Sequence, residues 1–85
     1  MPAAKAHRQS VKRNRRNGSV RRVTRSSISK ALRTLEAGEA SDAATTVHDA
    51  ISTIDRAVRK GILHKNAASR RKSRLSSRLN KLQNA

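Results

Sequence analysis

Eighty-five residues suffice for one small domain, and here they carry 21 Lys and Arg against 5 Asp and Glu, a formal charge of +16. The absence of cysteine excludes a disulfide framework and thiolate metal sites, and the absence of Phe, Tyr and Trp excludes the stacking platforms of sheet-type and single-strand RNA readers. Apolar runs are too short to span a membrane, so the charge points to a polyanion whose counterions are released on binding.

The charges fall in blocks. Residues 1–35 hold eleven Lys or Arg and no acid, residues 36–55 all five acids and no Lys or Arg, and residues 56–85 ten basic residues and no acid. Such blocks imply two surfaces turned to an anion and one turned away. High charge with few apolar residues also marks disordered basic tails, and the acid-free, Arg- and Ser-rich start has the composition of an organelle presequence. The helical spacing of the apolar residues argues against the first. Against the second, the basic pattern runs without a boundary into the first core-forming helix.

The periodicity predicts an all-α fold, a three-helix bundle with a long, protruding basic N-terminal helix (about 4–37, 41–60 and 65–83), forming a single domain over 1–85. The first helix should stop at Gly38, a left-handed C-cap position after Leu35-Glu36-Ala37. Val20, Ile28, Ala31, Leu32 and Leu35 share one side of it, with Val23 at the edge. Opposite them Arg8, Lys12, Arg15, Ser19, Arg22, Ser26, Lys30 and Arg33 make a continuous polar stripe. Lys5, Arg13 and Arg16 add to the charge of the same segment. Upstream of Val20 little is available for packing, so residues 1–19 are expected to be an extension ordered only on RNA. Asn17-Gly18 is a turn signal inside the pattern and leaves a kink or fraying there open.

The second helix has Ser41 or Glu39 at its start and Asp42 near the positive end of its dipole, then Ala40, Ala44, Val47, Ile51, Ile54 and Val58 at helical spacing up to Gly61. The third should open at Lys65 or Asn66, with Asn66 the better N-cap, and bury Ala68, Leu75, Leu79 and Leu82. Arg70, Ser73, Arg74, Ser77 and Lys81 lie opposite as a second basic stripe, while Arg71 and Lys72 lay their stems beside the leucines.

Chemistry finds no foothold. His7, His48 and His64 are scattered and lack thiolate company, the three glycines stand alone, and no Ser sits in a nucleophile elbow. The carboxylates belong to a solvated helix face, which makes the chain a non-enzyme without cofactor or metal. His64, with Lys65, Asn66 and Arg70 around it, is either a structural corner residue or a phosphate or sugar contact.

Lys60-Gly61-Ile62-Leu63-His64-Lys65-Asn66-Ala67-Ala68-Ser69-Arg70, followed by Lys72-Ser73-Arg74-Leu75, resembles the signature of the bacterial small-subunit ribosomal protein twenty family. The likeness extends back through Glu36-Ala37-Gly38 and on to Asn80-Lys81-Leu82, nearly the whole chain. It implies a three-helix bundle that binds 16S rRNA directly and early in assembly, its first helix and N-terminal tail lying along 5′-domain stems and near the long penultimate stem. It also implies RNA contact at Asn17, Ser19, Arg21 and Arg25. Gly18 and the opening Pro2-Ala3-Ala4-Lys5 depart from the family pattern.

The expected function is thus a structural constituent of the small ribosomal subunit that clamps rRNA stems through basic helix faces, Arg78 of the third helix included. It would be ribosome-bound in the cytoplasm or a plastid stroma, with few protein contacts, no membrane and no homo-oligomer. The alternative is a nucleoid or DNA-compacting protein, which needs the same charge but has no use for a bend at Gly61. A membrane-active basic helix is disfavoured because its apolar faces lack aromatic anchors.

Overall fold

Two glycines divide the chain into its helices. A computed structural model describes the backbone of residues 2–84 and the side chains of residues 6–84. It contains α1 (Pro2–Ala37), α2 (Ala40–Arg59) and α3 (Lys65–Gln83). Gly38 takes φ +80 and its N–H donates to the Leu35 carbonyl at 3.2 Å, the expected left-handed stop. Gly61, at φ +73, ends α2 in a Schellman turn. Its N–H donates to the Val58 carbonyl at 2.9 Å, and that of Ile62 to the Ala57 carbonyl at 3.0 Å. A side chain at either glycine would meet the steric penalty of the left-handed region.

Of the two residues expected at the start of α2 one is selected, and α3 opens at Lys65 as expected but with a different cap. Glu39, not Ser41, is the N-cap of α2, and no side chain bonds to the open N–H groups there. Ser41 lies inside the first turn, where its carbonyl accepts from the Thr45 hydroxyl at 3.3 Å. Hydrogen bonding with Asp42, and that neighbour's charge, raise Glu39 above the ordinary carboxylate range. At α3 the N-cap is His64 rather than Asn66: its Nδ1 accepts the Asn66 backbone N–H at 3.1 Å, two residues on. A ring nitrogen does here what a short amide or hydroxyl side chain commonly does. Replacing His64 with Ala should cost about 1 kcal/mol of thermal stability, and His64→Asn should recover most of it. Equal melting temperatures for His64→Ala and the parent would mean that the ring does not hold the start of α3.

α2 is the middle element and makes most of the core. Ala43, Ala50 and Ala57, spaced by seven, are at most 1 % exposed, and Val47 and Ile54 are the largest fully buried side chains. From α1 come Ala31 and Leu35, from α3 Ala68 and Leu75. Ile28, Leu32, Ile51, Val58, Leu63, Leu79 and Leu82 pack around them half-buried. The alanines let two helices approach α2 closely, since bulkier residues would hold the axes further apart. Buried polar groups are satisfied: the Thr24 hydroxyl donates to the Val20 carbonyl at 2.7 Å, and Thr46 bonds to Thr34 across the α1–α2 seam. One ion pair, Lys72 Nζ to Asp55 Oδ1 at 2.8 Å, ties α3 to α2. Both side chains are partly exposed, so it fixes register more than it stabilises.

The molecule measures 62 × 21 × 13 Å because α1, 36 residues long, outruns its partners. The helix is continuous through Asn17-Gly18, so the turn signal does not break it. Gly18 has open space where a side chain would stand. Gly18→Ala should therefore strengthen the local helix by about 0.5–1 kcal/mol, slowing amide exchange of its neighbours about two- to fivefold. Unchanged exchange would mean that this turn is not helical in the free protein.

Candidate nucleic-acid interface

Three open grooves run end to end along one side of α1. The first, of about 500 Å³, lies between α1 and the α2–α3 turn and is lined by Arg13, Arg16, Asn17, Ser19, Val20, Lys60 and Ile62. Ile62 passes into the second, of about 210 Å³, where Arg21 and Arg25 of α1 face Arg71 of α3 over Thr24, Ala57 and Leu63. Arg71 is shared in turn with the third, of about 660 Å³, where Arg74 and Arg78 stand over Ile28, Leu32 and Leu75, with Ser73 and Ser77 beside them. Cations from α1, from the turn and from α3 thereby line one continuous valley, and no acid lines any of its three parts. In water such a valley raises the local concentration of polyanions.

The back of α1 carries a separate surface. Arg8, Lys12, Arg15, Arg22, Ser26, Lys30 and Arg33 are all exposed there, on the side of the helix opposite its buried residues, as the periodicity predicted. His64, Lys65, Asn66, Arg70 and Lys81 are exposed as well but line none of the three grooves. The side chain of Lys5 lies outside the described residues.

The structure rearranges the third-helix stripe. Ser73, Arg74 and Ser77, expected on the pole away from the core, border the α1–α3 groove beside buried Leu75. Val23, expected at the edge of the apolar side, is 55 % exposed and takes no part in the core. Sequence reasoning left Lys60 and Arg71 out of the candidate interface. Arg71 read as a stem beside the leucines, yet it joins two grooves, and Lys60 is carried towards α1 only by the Schellman turn. A wheel drawn for one helix has no way to register a neighbour's wall. Residues 13–20 also border the α2–α3 turn, so the unsupported part of α1 is shorter than periodicity alone indicates.

Among the described residues no group of three His, Cys, Asp or Glu is placed to hold a metal, and no helix is long and apolar enough to cross a membrane. The acids sit elsewhere: Glu36, Glu39, Asp42 and Asp49 are exposed outside the valley and Asp55 pairs with Lys72.

A helical bundle with cations on two faces has the surface expected of a structural protein that holds a polyanion. The family described as ribosomal protein S20 matches residues 2–80. Small ribosomal subunit protein bS20 of Thermomicrobium roseum is 51% identical over 80 residues, covering 94% of this chain and 81% of the relative. The proteins of the same name from Maridesulfovibrio salexigens and Bordetella petrii are 42% and 41% identical, each over 94% of this chain and 92% of their own. The chain belongs to the ribosomal protein S20 family.

Proposed function

We infer that the protein is a structural, non-enzymatic constituent of the small ribosomal subunit, ribosome-bound in the cytoplasm, that joins rRNA stems by neutralising their phosphates. Its family membership supports the first part. The second rests on one observation: a single stiff helix carries cations on two separate faces, the outer stripe and the α1–α3 valley. One face can grip only one phosphate surface, so two faces can bridge two stems. The 5′ domain and the penultimate stem of 16S rRNA are the stems this reading assigns, reached early in assembly by a single copy of the chain. The contacts belong to the residues of the two faces together with Lys5, Asn17, Ser19, His64, Lys65, Asn66, Arg70 and Lys81. Residues 1–19 act as a basic extension that takes its final order on the RNA.

Affinity carried by phosphates is salt-dependent, and affinity carried by tertiary shape distinguishes a folded RNA from a plain duplex. Filter binding to the folded 5′ domain should therefore fall steeply with salt and exceed binding to random duplex DNA at every concentration. Equal affinity for the two would replace this reading with a DNA-coating protein, and sedimentation of extracts would then find the chain with the chromosome instead of ribosomal subunits.

A further inference from the structure

The third groove is unlike a phosphate site. Its floor is aliphatic, made by half-buried Ile28 and Leu32 and by Leu75 at 3 % exposure, while Arg71, Arg74 and Arg78 form its rim. A phosphate pressed onto that floor would lose hydration without gaining a hydrogen bond from it. The face of a nucleobase has the opposite preference: it is apolar across the ring, yet it arrives on a backbone of anions. Arg71, Arg74 and Arg78 are spaced by three and four residues, about one helical turn apart, so they follow the groove as a row. Phe, Tyr and Trp are absent from the chain and no histidine lines the groove, which leaves guanidinium planes as its flat stacking partners. At about 660 Å³ the groove lies within the range of pockets that take small planar ligands.

We propose that the groove between α1 and α3 receives one unstacked nucleobase of the bound RNA, its face on Ile28, Leu32 and Leu75 and its flanking phosphates on the row of arginines. The inference rests on the reading of the chain as an RNA binder and adds a contact to the base itself. The rim charge argues for a nucleic acid over an apolar protein segment, because a protein occupant would have to be strongly acidic to sit there.

Two variants and one RNA-side measurement test it. Ser77→Leu fills the groove from an exposed position with a good helix former, and Ile28→Ala removes part of the floor. On the folded 5′-domain RNA each should weaken binding about tenfold while leaving the slope of log affinity against log salt unchanged, because that slope counts phosphates. Probing of the wild-type complex with dimethyl sulfate and a carbodiimide, which between them report all four bases, should show an unpaired base that becomes protected on binding and reactive again with Ser77→Leu. If the wild-type protein fails to bind the folded RNA, the underlying function falls. If it binds but protects no unpaired base, the groove holds no base, whether a protein segment fills it or nothing does. A variant that lowers the salt slope while no base changes its reactivity would show that phosphate alone occupies the groove and overturn the proposal as well. The probing of the wild-type complex decides the matter even if a variant proves unstable.

Discussion

Replacing Ile54 with Ala should cost the free protein about 2–5 kcal/mol, enough to unfold much of the bundle at ordinary temperature. Ile54 is fully buried, and with Val47 it is one of the two largest such side chains. Half of the buried core cluster is alanine (Ala31, Ala43, Ala50 and Ala68), which is too short to close a cavity left by the missing atoms. A domain of this size commonly has a total stability of about 4–13 kcal/mol, so the deletion removes a large share of it. Ile51→Ala, at a half-buried position on the same helix, should cost clearly less. Urea unfolding followed by circular dichroism measures both. Binding that selects the folded state adds about 2.7 kcal/mol at a ligand concentration a hundred times Kd, so saturating RNA should restore helicity to the Ile54 variant. A loss below about 1 kcal/mol at Ile54, or equal losses at the two isoleucines, would contradict the packing described for α2.

The second large effect concerns the two cationic faces. Changing Arg13, Arg16, Arg21 and Arg25 to Gln strips the α1 wall of the valley, while changing Arg8, Lys12, Arg15 and Arg22 strips part of the outer stripe. Both sets lower the net charge by four, from +16 to +12, and Gln keeps the helix propensity. Every phosphate deprived of its cation should reduce the salt slope by about 0.7–0.9, so each set should lower it by about three and weaken binding by orders of magnitude at physiological salt. The sets should differ in which RNA stem loses its footprint. If both remove the same footprint, the two faces serve one stem and the bridging function is wrong. If one set changes neither slope nor footprint, that face does not meet RNA.

Much of this molecule is legible in the chain itself. Gly38 and Gly61 punctuate it because their left-handed conformations are costly for other residues, and a spacing of three and four fixes which side of a helix is apolar. The outer stripe of α1 followed from the same rule, since it depends on one helix alone.

Tertiary structure decided the rest. Periodicity placed Val47 and Ile54 of α2 in the core, where they are, but Ile51 and Val58 stay half-buried while Ala43, Ala50 and Ala57 are fully buried, because fit between close helices also depends on small size and not on transfer free energy alone. The cap of α3 moved from Asn66 to His64 because ring geometry allowed Nδ1 to reach a backbone N–H two residues on. Lys60 and Arg71 became part of the cationic valley only when a turn and a neighbouring helix brought them opposite α1. By itself the sequence determined how charge is sorted around each helix, since sorting along one rod depends on local spacing alone. Which charged sides face one another depends on how the rods pack, and only the fold decided that.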